Sequence, residues 1–504
     1  MPESAVFGVS SNAGMALLSW ANHVTPCPFC LVSRLAEAGF EPHDSPFPVD
    51  RASISRRVAA SLARQALGWA PVVLLRDGEA EGHVLLPHPN CPGCASEQDS
   101  LRVATRLPSG LLLDPLTGIT SCLERQNPMV DTAMLCCAVM GRVHLPLTAT
   151  PLYSEGTGPD MRSARMSQLG ESVERYSAFH PVLRGLVRAR ACDLGRQAAS
   201  VTLFSGYDAQ QLARTGYQRL RSDDEITWAE GRSLACGEKA MVPAALVYLH
   251  AAWPPEVRFT PMMSTGTACV RSLARGRLKG MLEVIERYRL VVAWNQARFG
   301  RRLPLSVLPP SHSDFVSRLG RSRIARVLRA LGLPPAVPVV MAMLGGPHFP
   351  WITFGSAADL CVRDAAAKAA EEAAHAYQEL SAWNGEIPSP RTLAPVAPVQ
   401  QHMLLWATRQ RSRLLIETLA ADRPVRLPQL DRVRAAAVNR ELLALCPHAV
   451  EVVLTPPDCR LCGMEVLKVV APGLPTLSFG SVGAPARHLS AYGIRRARKL
   501  HPFG

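Results

Sequence analysis

The chain has 504 residues, of which 48% are hydrophobic and 19% are charged. These values indicate a folded protein of one to three domains and exclude a disordered chain. Lys and Arg outnumber Asp and Glu by 55 to 41, which favours anionic ligands. No run of five or six basic residues occurs and only 6% of residues are aromatic, which argues against the alternative of a basic zinc-ribbon protein that binds nucleic acid.

The sequence shows neither a secretory signal nor a membrane span. Its first residues lack a basic segment followed by an uninterrupted apolar core, and no stretch reaches about 18 consecutive apolar residues. The 14 cysteines therefore predict reduced thiols and metal ligands in the cytoplasm, and not disulfides.

Two Cys-x-x-Cys pairs occur in the first hundred residues, namely Cys27 with Cys30 and Cys91 with Cys94. Each pair fits on one turn, and two such turns together form a tetrahedral tetrathiolate zinc site. Because about 60 residues separate the pairs, four buried cysteines without a metal remain an alternative.

A small α+β module surrounds these cysteines. The apolar spacing predicts a helix over 54–70, and two strands over 70–87 around Asp77-Gly78. The sequence changes character near residue 108, where we place a domain boundary.

Beyond this boundary, short apolar strands alternate with long helical patterns, which predicts a mixed α/β domain with α+β character. The predicted strands are 135–145, 244–253, 338–344 and 351–355, and the predicted helices are 163–180, 271–296, 364–384 and 401–421.

Two of these helices carry the motif Glu-x-x-Glu-Arg. Its residues are Glu171, Glu174 and Arg175 in one helix, and Glu283, Glu286 and Arg287 in the other. Residues three and four apart share a helix face, so each motif forms an acidic ridge beside a guanidinium. One such ridge is usually solvated surface, whereas two matching copies favour a shared site for Mg²⁺.

The neighbouring residues predict how the two helices lie. In the first helix Leu169, Val173 and Tyr176 form a buried stripe, and Ser167 lies on the opposite side with the glutamates. The second helix has a wider apolar arc, so its glutamates would be costly to bury unless they are paired or bind a metal.

Divalent cations held by carboxylates suggest ATP, because Mg²⁺ usually shares its coordination shell with phosphates. The sequence contains no Gly-x-x-x-x-Gly-Lys-Ser/Thr loop, so the metals would have to hold the nucleotide. The turn 262–268 is either a phosphate-binding turn or an ordinary loop. In the predicted helix 364–384, the pair Glu372 and His375 is by itself typical of a solvated helix.

Taken together, these features resemble the YcaO family, and within it the cyclodehydratase subunits that make thiazolines and oxazolines in ribosomally synthesised peptides. The resemblance covers 109–504. Its matching segments are the two glutamate motifs, the first preceded by Ser167 and the second by STGTA, together with DPLTGITS, WAEGRSL, KVVAPGL and the terminal HPFG.

The resemblance implies an ATP site with Mg²⁺ and a defined set of functional residues. It assigns catalysis to Glu171, Glu286 and Gly504, ATP binding to Ser167, Glu174, Arg175, Ser264, Arg287 and Glu372, and Mg²⁺ to Glu171, Glu174, Glu283 and Glu286. In the implied reaction a Cys, Ser or Thr side chain attacks the preceding carbonyl, ATP phosphorylates the resulting oxygen, and loss of phosphate leaves an azoline ring. A thioamide-forming YcaO enzyme and a catalytically silent scaffold for the precursor are the alternatives.

The cysteine module resembles part of the E1-like region that accompanies these enzymes, so we expect a truncated zinc-binding module at 1–108 and the YcaO domain at 109–504. This module is too short for leader recognition as well. The expected partners are therefore a precursor peptide, a separate leader-binding E1-like protein, a flavin-dependent azoline dehydrogenase and a second copy of the chain, with no nucleic acid or membrane.

Five positions depart from the usual family residues. They are Thr157 for lysine, Thr265 for asparagine, Tyr288 for aspartate, His375 for glutamine and Gly504 for a terminal proline.

Overall fold

The computed structural model describes residues 4–10, 15–20, 28–38, 41–43, 71–76, 79–91, 107–121, 123–124, 137–145, 152–158, 160–181, 185–249, 256–310, 325–425, 432–494 and 500–503. The strands are β1 (Ser4–Ser10), β2 (Met15–Trp20), β3 (Glu41–His43), β4 (Pro71–Arg76), β5 (Glu79–Val84), β6 (Leu123–Glu124), β7 (Cys137–Val143), β8 (Leu152–Gly158), β9 (Leu186–Arg190), β10 (Glu225–Ser233), β11 (Lys239–Pro243), β12 (Thr267–Val270), β13 (Arg301–Leu303), β14 (Ala325–Gly332), β15 (Val339–Gly345), β16 (Ile352–Ala358), β17 (Val450–Val453) and β18 (Glu465–Val470).

The helices are α1 (Pro28–Ala38), α2 (Met161–Phe179), α3 (Ala191–Leu194), α4 (Ala209–Thr215), α5 (Leu273–Gln296), α6 (Val362–Ser381), α7 (Val399–Trp406), α8 (Arg409–Ala420), α9 (Ala435–Leu445), α10 (Pro457–Leu461) and α11 (Ala486–Ala491). The mixed α/β class predicted from the sequence is confirmed.

The N-terminal strands form one antiparallel sheet with the order β3-β1-β2-β4-β5. Strands β4 and β5 pair from Pro71 opposite Val84 to Arg76 opposite Glu79, which confirms the two strands predicted around Asp77-Gly78. The helix predicted at 54–70 lies outside the described residues.

The remaining strands form three further sheets, each flanked by one long helix. Helix α2 packs on the sheet β6-β7-β8, α5 packs on β12 and β18 of the sheet β11-β10-β17-β18-β12, and α6 packs on β15 and β16 of the sheet β13-β14-β15-β16. Strand β9 extends the second sheet by pairing with β10. Helix α2 also contacts β12 and β18, and α5 also contacts β14 and β16, so the long helices join the three sheets to one another.

Helix α2 buries the predicted stripe, since Leu169, Val173 and Tyr176 are fully inaccessible to solvent. The carboxylate of Asp160 caps its first turn by accepting a hydrogen bond of 2.7 Å from the Ser163 amide. The stripe is buried because its positions recur with the period of the helix.

Two sequence predictions differ from the structure. The described part of 244–253 is not a strand, because β11 ends at Pro243 and a 3₁₀ turn follows at Ala244–Leu246. The region 401–421 is two helices, α7 and α8, separated by Ala407 and Thr408. Apart from the helix at 54–70, which lies outside the described residues, the remaining predicted strands and helices occur within a few residues of their predicted bounds.

A buried ionic cluster joins α1 to the rest of the chain. The Arg34 guanidinium donates to the Asp458 carboxylate and, at 2.7 Å, to the Tyr176 hydroxyl. One Glu37 oxygen lies 2.7 Å from Nε2 of both His88 and His180. Because α2 ends next to His180, this cluster ties the N-terminal module to the C-terminal end of α2.

The C-terminal segment is packed into the protein. Phe503 is 3% exposed, and its ring centre lies 5.8 Å from that of Trp294 and 5.7 Å from that of Phe354. Nε2 of His501 donates to the Ser478 carbonyl at 3.0 Å, and its ring lies 4.8 Å from that of His402. Gly504 lies outside the described residues.

No helix in the described ranges is both long enough and apolar enough to cross a membrane.

Several buried histidines should make the fold sensitive to acid. Burial lowers the pKa of His488 to about 4 and that of His501 to about 3, and it also lowers the pKa of His402. A group with a folded pKa below its unfolded value stabilises the fold above the unfolded pKa, near 6.5, and this stability is lost as the pH falls.

We therefore expect the free energy of unfolding to fall between pH 6.5 and 5.5 by about 1 kcal/mol for each of His488 and His501. Denaturant titrations at pH 7.5, 6.5 and 5.5 would measure this change. The double variant His488→Asn, His501→Asn should show a shallower dependence on pH. The same dependence in both proteins would contradict the assignment.

Candidate active site

The glutamates of α2 are held by amides of two different strands. One Glu171 oxygen accepts a hydrogen bond of 2.9 Å from the amide of Glu155 in β8. One Glu174 oxygen accepts a bond of 2.7 Å from the amide of Cys269 in β12. The two carboxylates of the first motif are therefore fixed between two sheets.

The glutamates of α5 and α6 are held in the same way. The Glu286 carboxylate accepts bonds from the Ser356 hydroxyl at 2.7 Å and the Ala358 amide at 2.9 Å, both in β16. The Glu372 carboxylate accepts a bond from the Ser356 amide. The solvated helix face that the pattern of Glu372 and His375 suggests by itself does not apply to Glu372, because α6 buries its alanine face on β15 and β16 and places Glu372 against β16.

Glu283 accepts a hydrogen bond of 3.1 Å from the amide of Gly266, in the turn before β12. Gly266 has a φ of +84°, and a Cβ atom there would lie 2.2 Å from the Val469 carbonyl oxygen. The turn thus requires glycine for its conformation and for its close approach to β18.

Arg287 lies among the buried carboxylates. Its Nε is 3.9 Å from an oxygen of Glu283 and 3.9 Å from an oxygen of Glu286. Burial would lower the pKa of Arg287, but the charges of Glu286, Glu372 and Glu283 outweigh burial and raise it. On α2, Arg175 pairs with Glu171 and donates to the Tyr153 carbonyl.

The carboxylates carry more negative charge than the neighbouring cations neutralise. Burial raises the pKa of Glu174 and of Glu372 to about 7, and it also raises the pKa of Glu283 and Glu286. Groups that resist ionisation in a buried cluster favour a divalent cation, because the cation would stabilise their charged form. Carboxylate oxygens are also the ligands that Mg²⁺ prefers, so this donor set fits Mg²⁺.

Two pockets open beside Glu171 and Ser167, with empty volumes of about 810 and 790 Å³. The first lies between α2 and β12 and includes Glu174 and Lys279. The second lies between β8, α2 and α6 and includes Glu155, Thr157, Arg175, His375 and Glu379. Together they form a charged cleft along both sides of the Ser167 and Glu171 ridge.

Of the predicted site residues, Ser167, Glu171, Glu174 and Arg175 line these pockets. The others, Glu283, Glu286, Arg287 and Glu372, lie in the buried cluster that Glu174 joins through Glu283. Ser167 lines both pockets, whereas Ser264 is exposed and lines neither pocket. Thr265 lies at a separate apolar pocket, and Gly504 is outside the described residues.

Two residues of the charged pockets, Glu155 and Lys279, were not predicted from the sequence. Glu155 was detectable, because Tyr153, Glu155 and Thr157 alternate along β8 and share one face of the strand. Nε2 of His375 lies 2.7 Å from a Glu155 oxygen, and that carboxylate raises the pKa of His375 against the lowering effect of burial.

The described halves of the two cysteine pairs lie near the same backbone segment. The His88 amide donates to Cys30 Sγ at 3.3 Å, and the Cys91 amide donates to the His88 carbonyl at 3.1 Å. Cys30 and Cys91 are both buried, whereas Cys27 and Cys94 lie outside the described residues.

The sequence profile described as YcaO cyclodehydratase, ATP- and Mg²⁺-binding, matches residues 155–475. The chain belongs to the YcaO family. This match begins at Glu155 within β8 and includes all three long helices and the KVVAPGL segment. A comparison with curated protein sequences gave no significant match.

Solved structures share the YcaO fold at low sequence identity. A heterocyclase in complex with substrate and cofactor is 17% identical with a TM-score of 0.69, covering 92% of this chain and 72% of its own. The heterocyclase TruD is 18% identical with a TM-score of 0.61, and the match covers 100% of this chain and 75% of TruD. YcaO from Methanopyrus kandleri, bound with AMPPCP and Mg²⁺, is 18% identical with a TM-score of 0.51, and the match covers 76% of this chain and 90% of that protein. At these identities the likeness shows the fold.

The raised pKa of Glu372 predicts that its charge destabilises the metal-free protein. An acid whose folded pKa lies above its unfolded value weakens the fold at every pH where it must ionise. Glu372→Gln should therefore stabilise the metal-free protein at pH 7 by about 1 to 3 kcal/mol, measured by denaturant unfolding in EDTA. The exposed Glu417→Gln is the control and should change stability little. A clear loss of stability in Glu372→Gln would contradict the charge assignment.

Proposed function

We propose that the protein is an ATP-dependent cyclodehydratase that converts Cys, Ser or Thr residues of a ribosomally synthesised precursor peptide to thiazolines or oxazolines. The observation that carries this proposal is the cluster of glutamates from three long helices, each held by an amide of a neighbouring strand, in a chain of the YcaO family that has no P-loop. Two of the structural neighbours are heterocyclases, and a third was solved with AMPPCP and Mg²⁺.

Glu171, Glu174, Glu283 and Glu286 would hold Mg²⁺, and Ser167, Arg175, Arg287 and Glu372 would complete the nucleotide site. When bound, Mg²⁺ and ATP would supply a phosphoryl group for the oxygen of the attacked amide, which makes that oxygen a leaving group. The strand amides keep the carboxylates in place, so the site is ordered before the nucleotide enters. Catalysis by positioning and charge requires this order.

The positive groups of the cleft would contact phosphate. Arg175 and His375 line the pocket beside Thr157, and Lys279 lines the pocket beside Glu174. We infer that these cations contribute the charge that a lysine at position 157 would otherwise supply. Ser264 and Gly504 keep their predicted roles as proposals, in ATP binding and in catalysis.

The N-terminal module would contain a structural zinc ion bound by Cys27, Cys30, Cys91 and Cys94. Its support is the common contact of Cys30 and Cys91 with the His88 backbone, together with amide donation to sulfur, which is favourable around a thiolate. A separate leader-binding partner, a flavin-dependent dehydrogenase and a homodimer are parts of the same proposal.

Glu171→Gln and Glu286→Gln should each reduce ATP turnover at least about 100-fold, because each removes a charge aimed at the metal-phosphate group. The assay combines the protein with ATP, Mg²⁺, a co-encoded partner and candidate precursors, and measures the loss of one water per ring by mass spectrometry together with phosphate release. The exposed Glu225→Gln is the matched control. Full activity in both site variants would refute the proposed metal site.

Purified protein should carry about one zinc ion per chain, as expected for one tetrathiolate site. Cys91→Ser should lose this zinc, whereas Cys236→Ser should keep it because Cys236 is exposed and outside the module. Elemental analysis of the folded proteins measures the metal. A folded wild-type protein that contains no zinc would contradict the tetrathiolate assignment.

A further inference from the structure

A third pocket, which we call the apolar pocket, lies apart from the two charged pockets of the cleft. Its empty volume is about 870 Å³, and most of its lining is apolar, including Phe204, Tyr207, Leu246, Met263, Leu474 and Leu477.

The apolar pocket adjoins the candidate active site through α5 and β18. Val284 lines this pocket, and the preceding residue, Glu283, belongs to the acidic cluster. Lys468 also lines the pocket, and the charge of Glu283 acts on its ammonium group. A ligand in the apolar pocket would therefore lie beside Glu283, in a space separate from the charged cleft.

The lining contains buried polar atoms without hydrogen-bond partners in the structure. They are the Thr476 hydroxyl, the Ser478 hydroxyl and Nε2 of His488. Ser478 is only 5% exposed. A buried polar group without a partner is costly, and the hydroxyls can turn toward a ligand by rotation about one bond.

The charges in this pocket do not suit phosphate. Lys468 is the only lysine or arginine among the described lining residues, burial lowers its pKa to about 8, and its ammonium group already donates to the carbonyls of Met263 and Val247. Burial keeps His488 neutral. An apolar lining with a few hydroxyl and imidazole groups matches a peptide segment, which has apolar side chains and amide donors and acceptors.

We propose that the apolar pocket binds an apolar side chain of the substrate peptide beside the residue that is cyclised, with the peptide amides hydrogen-bonded by Thr476, Ser478 and His488. This inference rests on the proposed function. The nucleotide would occupy the charged cleft and the peptide the apolar pocket, so the two substrates meet at Glu283.

The test uses the full chain with saturating MgADP and two blocked peptides, acetyl-Gly-Leu-Cys-Gly-Gly-amide and acetyl-Gly-Gly-Cys-Gly-Gly-amide, measured by calorimetry. The leucine peptide should bind about tenfold more tightly, since one apolar side chain leaves water. Leu203→Trp, which fills the pocket from its edge, should abolish this preference.

Thr476→Val and Ser478→Ala should weaken binding of the leucine peptide about threefold to tenfold, by removing hydrogen bonds made only to the ligand. Neither should lower stability or MgADP affinity, because the hydroxyls have no partner to lose in the structure described here. The matched control is Ser205→Ala, whose hydroxyl is also buried without a partner but lies outside the pocket lining. Its peptide affinity should be unchanged.

Equal binding of the two peptides by a protein that binds MgADP would overturn this inference and leave the proposed function standing. Weaker MgADP binding in Ser478→Ala would also overturn it, because the pocket would then serve the nucleotide base. A wild-type protein that neither binds MgADP nor turns over ATP would instead refute the proposed function.

Discussion

The active site depends on holding like charges together out of water. Each carboxylate of the cluster accepts a hydrogen bond from a backbone amide in or beside a strand, and these amides belong to Glu155, Gly266, Cys269, Ser356 and Ala358. The three long helices supply the charge, and three different sheets supply the amides. Because a strand amide has a fixed direction, these hydrogen bonds hold each helix in place on its sheet. The negative charge of the glutamates nevertheless remains poorly neutralised. Stability and function thus oppose each other at the same side chains, and a bound cation would relieve the conflict.

The position of α2 links the glutamate cluster of the site to the N-terminal module. The same helix carries Glu171 and Glu174 on one side and Tyr176 on the other, where Arg34 and Asp458 bond to its hydroxyl. Asp458 lies in α10, between β17 and β18. The buried ionic cluster around Arg34 therefore connects the N-terminal module, α2 and the largest described sheet. Removing one member would leave an uncompensated buried charge, which is strongly destabilising. The module therefore contributes to the active site indirectly, by fixing the helix that carries the first glutamate motif.

Periodicity was enough to predict the buried stripe of α2 and the acidic ridges, because helix geometry fixes which residues share a face. It failed at 244–253, where an apolar run was interpreted as a strand, although Ala244, Val247 and Tyr248 are spaced as one helical turn and are all buried. Periodicity alone could not place Glu372 at the site, since that depends on how α6 packs against β16, and only the family resemblance assigned it there. Glu155 was not predicted because no strand was predicted at 152–158, and without a strand the common face of Tyr153, Glu155 and Thr157 is not apparent. Local sequence patterns predicted the glutamates of the two motifs. The strand amides that hold these glutamates belong to distant segments of the chain, so local patterns could not predict them.

The separation of charged and apolar space around Glu283 suggests how one site handles two unlike substrates. A nucleotide requires cations and metal ligands, which line the cleft between α2, α5 and α6, and a neutral peptide segment requires apolar surface with a few hydrogen-bonding groups. If both entered by the same route, an apolar side chain of the peptide would have to pass the buried carboxylates. This would be unfavourable, because an apolar side chain cannot replace the hydration that the carboxylates lose. Separate pockets for the two substrates avoid this cost. In the proposed reaction the glutamates would lie at the boundary between the two environments, where the phosphoryl group meets the amide oxygen.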